Sequence, residues 1–286
     1  MPGTPGLGML TPHRLAVWGD PIEHSLSPQL HAAAYAALGS GWTYDRRRVT
    51  EAEFPSALEA LGPGWLGLSL TMPLKAVAYR TALRRDRHAQ TTGAVNTLLL
   101  GPHGPHGFNT DVGGIVAALR EGGLPRVDRA RIVGTGATAT SALVAAHELG
   151  AKTVEIAARR PDAAARLAAV GGELGVRVSA SAIDAADHAD VPLTIATLPG
   201  DARLDPSVAE GLAASGGVLL DVVYGTWPTV LGSAWLRAGK PATSGLGMLL
   251  HQALLQVRVF VNGDPAEAVE NEEHVLAEMR RAIVGD

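Results

Sequence analysis

Cysteine is absent from this chain of 286 residues. Disulfides and thiolate-ligated metal sites are therefore excluded. A positive balance is also missing. The formal net charge of -4 argues against a nucleic-acid protein, which needs a basic stripe for phosphates. The cluster Arg84-Arg85-Asp86-Arg87 is interrupted by an acid and reads as a solvated helix face. No uncharged apolar run is long enough for a membrane span. The opening residues, Met1 to His13, are rich in Pro and Gly without a long apolar core, so they do not read as a secretory signal. The expectation is a soluble cytoplasmic protein with a frayed start. What remains is 47% hydrophobic and 18% charged, a composition that fits a globular chain with sizeable cores, in one large domain or two ordinary ones.

Short β-rich runs alternate with Ala/Leu-rich stretches. Strands are expected at 15–18, 42–49, 66–70 and 94–100, with a partner near Phe108 across the turn-rich loop 101–107. Helices are expected at 28–38 and 54–61. After Asp111 a helix at 115–120 leads into a second series. Its strands are expected at 131–133, 153–157, 193–196 and 218–223, and its helices at 139–149 and 163–170. Such alternation implies mostly parallel sheets with helices on their faces. The last helix is expected to start at Asp264, with Pro265 in its first turn and Glu267 completing a capping box. Val269, Leu276, Met279 and Ile283 would then face a core.

Gly134-Thr-Gly-Ala-Thr-Ala139 follows a strand and opens a helix. Gly134 permits the tight turn, Gly136 lets backbone approach a pyrophosphate, and Ala139 allows close helix–strand packing. The helix N-terminus offers its N–H groups to the anion. Glu155 lies at about the distance where an NAD site places its ribose-binding acid, but it falls inside the next strand. The strand end carries Arg159 and Arg160, whose guanidiniums suit the adenosine 2′-phosphate of NADP.

Other side chains point to chemistry while allowing blander readings. Ser25 and Ser27 precede Pro28; Ser27 reads as an N-cap, yet a hydroxyl at a helix start can also bind an anion. Lys75 follows a buried strand, where α/β sheets bind ligands, although most lysines only face solvent. Asp111 could cap its helix. A Lys–Asp pair also suits moving an alcohol's proton while hydride leaves the same carbon. Asn96 reads as a turn residue, Gln252 as a helix-surface residue and Tyr224 as an aromatic at a strand end. His24 and His251 read as packing or hydrogen-bonding groups. His103 and His106 sit in a Gly/Pro loop without carboxylate neighbours, and no metal site is expected.

In chain order, Gly19-Asp-Pro-Ile-Glu-His-Ser-Leu-Ser-Pro-Gln-Leu-His31, Thr71-Met-Pro-Leu-Lys75, Gly93-Ala-Val-Asn-Thr97, Asn109-Thr-Asp111, the turn at Gly134 and Gly245-Leu-Gly-Met-Leu-Leu-His-Gln252 resemble the shikimate dehydrogenases through most of the chain. The resemblance implies an α/β fold of two domains with a cleft between them. One is an α/β substrate domain with a mostly parallel sheet (1–111 and 245–286); the other is a Rossmann-like NADP-binding domain (112–244). It implies Lys75 and Asp111 as catalytic residues. Ser25, Ser27 and Tyr224 would meet the substrate carboxylate, and Thr71, Asn96 and Gln252 its hydroxyls. Gly134, Gly136, Ala137, Ala139, Arg159, Arg160, Thr197, Gly245 and Met248 would line the NADP site. The chain departs from the family pattern at Ser69, where Asn is usual, at Ala158 and Arg160 on either side of Arg159, which it keeps, and after Tyr224. The implied reaction is NADP-dependent interconversion of shikimate and 3-dehydroshikimate, with a small-molecule substrate and no nucleic-acid or membrane partner. A homodimer remains open. The alternatives are an enzyme that also takes quinate, or a non-catalytic NADP-binding sensor. Retention of both Ser25 and Ser27 tilts the reading toward shikimate.

Overall fold

The structure, a computed structural model, describes residues 12–284. The opening residues through position 11, which carry most of the secretory-signal expectation, lie outside that range. Two compact units emerge, Met1–Thr110 with Leu250–Asp286, and Asp111–Leu249.

The first unit is built on a six-stranded sheet in the order β2-β1-β3-β5-β6-β4. Its strands are β1 (Arg14–Gly19), β2 (Thr43–Arg48), β3 (Trp65–Leu70), β4 (Arg84–Arg85), β5 (Thr97–Leu99) and β6 (His106–Phe108). The β1–β2, β1–β3 and β4–β6 pairings are parallel, and β5 is antiparallel to β3 and β6. Helices α1 (Ser27–Ala37), α2 (Phe54–Glu59), α3 (Lys75–Thr81) and α4 (Arg87–Thr92) connect the strands. Successive strand residues face opposite sides. Ala16, Trp18, Leu68 and Leu70 thus share a core with Phe54 of α2 and Val77 of α3.

The charged cluster near residue 85 is not a helix face. Arg84 and Arg85 form β4, Arg85 lies over the Tyr79 ring at 4.5 Å, and Asp86 caps α4 by accepting from Ala89 N at 2.7 Å. Burial raises the pKa of Asp86 despite that bond and a second from the Asn109 N–H.

The second unit holds an all-parallel sheet, β12-β11-β10-β7-β8-β9. The strands are β7 (Arg129–Val133), β8 (Thr153–Ala158), β9 (Arg177–Ala182), β10 (Val191–Ala196), β11 (Gly216–Asp221) and β12 (Ala242–Thr243). Counted within the unit, this is the doubly wound order whose reversal lies between β7 and β10. Helices α5 (Asp111–Glu121), α6 (Ala137–Glu148), α7 (Ala165–Glu173), α8 (Pro206–Ser215) and α9 (Val230–Arg237) complete it. Lys240 Nζ closes the C-terminus of α8, donating to the carbonyls of Ala213, Ala214 and Gly216 at 2.6, 2.7 and 2.6 Å. Three donors on one cation match the carbonyls a helix end leaves unpaired. Lys240→Met should therefore lower stability by about 2 kcal/mol, read as a lower urea midpoint at unchanged slope.

Helix α10 (Leu246–Asn262) begins in the second unit and ends in the first. Met248 belongs to the second unit's core, and a Cβ on Gly247 would lie 3.5 Å from Ala118 of α5. Residues 245–249, and Asp111 at the start of α5, therefore group with the second unit rather than the first, where they were expected. Helix α11 (Glu272–Val284) starts well after Asp264. The expected capping box is instead a turn, in which Asp264 accepts from Ala266 N at 2.8 Å. Arg258 holds this segment by donating to Pro265 O at 2.9 Å and to the Glu272 carboxylate. Val275 and Met279 are the buried residues of α11. No helix among the described residues is long and apolar enough to cross a membrane.

Candidate active site

In the first unit the expected substrate residues come from strand ends and the helix starts that follow them. Ser27 does not cap α1. The N-cap is Leu26, without a side-chain bond, and Ser27 is the first helical residue, followed by Pro28. The Ser25 hydroxyl accepts from Ser27 N at 3.3 Å. Capping therefore does not account for Ser27, a buried residue. Beyond β3, Thr71 N donates to Trp18 O at 3.0 Å and Leu74 N to Thr71 O at 2.8 Å. This turn delivers half-buried Lys75 as the first residue of α3. Gly19 makes the crossing possible, since a Cβ there would fall 2.3 Å from Thr71 Cγ2 and 2.9 Å from Met72 O.

Asn96 is no surface turn residue. It is buried and its amide is locked on both sides. Oδ1 accepts from Thr110 N and from Thr97 Oγ1, each at 2.9 Å. Nδ2 donates to Thr110 Oγ1 at 2.9 Å and to Gln252 Oε1 at 3.4 Å. Asn96 and Gln252, 156 positions apart, are thus brought together, and Gln252 is buried rather than solvent-facing. His24, in contrast, is exposed.

Beneath this pair runs a network that the sequence did not reveal. Gln256 Oε1 accepts from Ser69 Oγ at 2.7 Å and from His31 Nε2 at 3.2 Å. Its Nε2 donates to Asn96 O at 3.3 Å. Because Oε1 only accepts, His31 carries its proton on Nε2, and Nδ1 accepts from the Tyr35 hydroxyl at 3.0 Å. Complete burial pushes the pKa of His31 down to about 3, the bond to Gln256 offsetting only part of the cost. The network is therefore neutral across the physiological range. Ser69 thus reaches the side-chain amide of Gln256. The spacing of Gln252 and Gln256, one helical turn apart on α10, was the available signal; neither His31 nor Thr110 carried one.

In the second unit the nucleotide turn forms as expected. Gly134 has φ +119°, and a Cβ on it would lie 2.6 Å from Thr197 Oγ1. Thr197 reaches Val133 O from its N and Oγ1 at 2.9 and 3.0 Å. Gly134 and Thr197 therefore meet where β7 and β10 part, the point at which such sheets bind ligands. A Cβ on Gly136 would meet no protein atom. Gly136 and Ala137 are exposed and Ala139 is buried. No side chain caps α6, so its first N–H groups face outward for an anion. These features fit a dinucleotide pyrophosphate.

Arg159 and Arg160 follow the end of β8, are exposed, and form no ion pair among the described residues. Glu155 is occupied elsewhere. Its carboxylate accepts from Arg131 Nε at 2.8 Å, Ser181 Oγ at 2.7 Å and His188 Nδ1 at 2.6 Å. Burial opposes the charge of Glu155, but the bonds from His188, Ser181 and Arg131 outweigh it and hold its pKa below the usual value. A carboxylate so engaged in mid-strand is a poor ribose ligand.

Tyr224 is half-buried in the loop after β11. Asp221 braces that loop, accepting from Val223 N at 3.1 Å and Thr229 Oγ1 at 2.6 Å. Burial raises the pKa of Asp221 despite these bonds. Gly245 N donates to Val223 O at 3.0 Å, so Gly245 lies against the same loop, and Met248 is buried one turn further on. Asp111, buried, is the first residue of α5.

The profile of the shikimate dehydrogenase substrate binding domain matches residues 17–98. The shikimate dehydrogenase (NADP(+)) of Rubrobacter xylanophilus is 34% identical over 277 residues, covering 94% of each chain. The chain belongs to the shikimate dehydrogenase family. Among solved structures of that family, the Mycobacterium tuberculosis enzyme has a TM-score of 0.81 at 40% identity, covering 94% of this chain and 99% of its own. The Thermus thermophilus enzyme, solved in complex with NADP(H) and shikimate, has a TM-score of 0.77 at 28% identity, covering 95% and 100%.

Proposed function

We infer that the protein catalyses the reversible, NADP-dependent oxidation of shikimate to 3-dehydroshikimate. The observation that carries this reading is the pairing of two sets of features in one chain of this family. The first unit has Lys75 at the start of α3 together with buried hydroxyl and amide groups; the second has an uncapped nucleotide turn followed by two exposed arginines.

Ser25, Ser27 and Tyr224 bind the substrate carboxylate as hydroxyl donors. Asn96, fixed by Thr97 and Thr110, and Gln252 read ring hydroxyls together with Thr71. Lys75 takes the proton of the reacting hydroxyl in the forward direction and returns it in reverse. Asp111 serves as the second catalytic group and holds a neighbouring hydroxyl. The backbone N–H groups at Gly136 and Ala137 bind the pyrophosphate, with Gly134, Ala139 and Thr197 shaping the turn. Arg159 and Arg160 take the 2′-phosphate, and Gly245 and Met248 border the nicotinamide. NADP, when bound, supplies the hydride acceptor. In this reading the first unit is the substrate domain and the second the cofactor domain. The protein works in the cytoplasm, with a homodimer as the assembly to test by light scattering.

The deciding experiment follows reduced-nicotinamide absorbance with shikimate or quinate against NADP or NAD, in all four combinations. Turnover with shikimate and NADP far above the other three is expected. Comparable rates on quinate would make the enzyme dual-specific, and cofactor binding without turnover on either acid would favour a sensor. Arg159→Ala should raise KM for NADP about tenfold or more, since a charge-assisted bond is worth about 1.5–3 kcal/mol. KM for NAD should stay within about twofold. Equal losses for both cofactors would refute the phosphate assignment.

A further inference from the structure

Tyr44 and Ser27 leave a hydrogen-bonding problem unsolved within the first unit. Tyr44 lies on β2 opposite Leu15, and its ring stacks on that of His31 with centroids 3.9 Å apart and planes 9° from parallel. The stack fixes the ring. The hydroxyl is shielded from solvent and makes no hydrogen bond of ordinary geometry. Burial pushes the phenol's pKa up, and the nearby Ser69 and Ser27 side chains counter only part of that shift. Tyr44 is therefore a permanent O–H donor at working pH.

Of its two hydroxyl neighbours, Ser69 is committed, donating to Gln256 Oε1 at 2.7 Å. Ser27 is not. It caps no helix, and its side chain lies near the Tyr44 hydroxyl without a hydrogen bond of ordinary geometry to it. The buried Tyr44 hydroxyl thus stands with its donor unspent beside a serine that caps no helix, and an unmade buried hydrogen bond is costly.

We propose that Tyr44 is a positioning residue for the substrate carboxylate, acting through Ser27. The proposal rests on the reading of Ser27 as a carboxylate ligand. When Ser27 turns its O–H onto a carboxylate oxygen, its own lone pairs become the acceptor that Tyr44 lacks. The chain Tyr44 O–H to Ser27 Oγ–H to carboxylate satisfies both hydroxyls at once, and each bond polarises the next. With one of its two lone pairs filled by Tyr44, the serine keeps its O–H for an acceptor and has a single lone pair left for a donor. The device therefore favours an acceptor at that point over a ligand presenting an N–H or O–H there.

Tyr44→Phe keeps the ring stacked on His31 and removes only the donor. KM for shikimate should rise about tenfold, while kcat and KM for NADP stay within about twofold. The thermal midpoint should hold or rise, because an unpaired buried hydroxyl has been removed. In a Ser27→Ala background the same substitution should add nothing to KM. An unchanged KM in Tyr44→Phe, an equal effect in both backgrounds, or a fall in the midpoint of several degrees would each overturn the relay. A normal KM in Ser27→Ala alone would remove Ser27 from carboxylate binding and the relay with it; a rise there, with Tyr44→Phe silent in an otherwise native chain, overturns the relay and leaves the carboxylate reading standing.

Discussion

Lys75→Ala is expected to lower kcat by about 10²–10⁴-fold, the usual contribution of a positioned acid–base group, with a modest change in the KM for shikimate. Lys75 opens α3 directly after the turn that Thr71 N anchors to Trp18 O, and Val95 N donates to its carbonyl at 3.0 Å. Its backbone is thus fixed at both ends by β1 and by the segment leading to Asn96. Alanine is a good helix former, so the substitution leaves α3 and the neighbouring binding groups in place. A loss confined to kcat identifies a group that acts mainly in the transition state. Raising the pH should not restore the variant, because the missing group is the base itself. Near-normal turnover would remove Lys75 from the chemistry.

The second large effect concerns stability. Glu155→Ala should destabilise the protein by about 3–5 kcal/mol, the cost of stranding a buried charge. Arg131 is fully buried on the central strand β7, in register with Glu155 on β8. Its remaining donors meet the carbonyls of Leu212 at 3.2 Å and Ala189 at 2.6 Å, neither of which carries a compensating charge. Replacing both Arg131 and Glu155 with leucine should cost much less than Glu155→Ala alone, because no ion is then left unpaired. The folded pKa of Glu155 is depressed. Its contribution is therefore complete above the unfolded carboxylate's value and is lost as the pH falls through the lower folded value. Thermal melts of the native chain and of both variants at pH 7, and again at acid pH, measure this. Equal losses for the single and double substitutions would refute the ion-pair account.

The fold and the site were legible in the sequence to different degrees. The nucleotide turn was readable because it depends on local requirements. Gly134 must take a positive φ and Ala139 must be small. The alternation of strands and helices was readable for the same reason, and it gave the α/β class. Where the sequence misled, a local pattern met a long-range partner. Asp264, Pro265 and Glu267 look like a helix start, but Arg258 from α10 holds that segment in a turn through Pro265 O and Glu272. The arginines near residue 85 look like a solvated helix face, but two of them form a short strand and Asp86 turns inward as a cap. Ser27 followed by proline looks like an N-cap, yet Leu26 takes that position.

By itself the sequence determined the class of fold and the family, because these follow from residue type and spacing along the chain. Only the tertiary structure decided which polar side chains are fixed and by what. Asn96 is held by Thr97, Thr110 and Gln252, and Gln256 joins His31 to Ser69 across 225 and 187 positions. Glu155 is withdrawn from nucleotide binding by Arg131, Ser181 and His188. Such pairings depend on burial, which forces polar groups to find partners wherever the folded chain supplies them, and no local pattern records where that is.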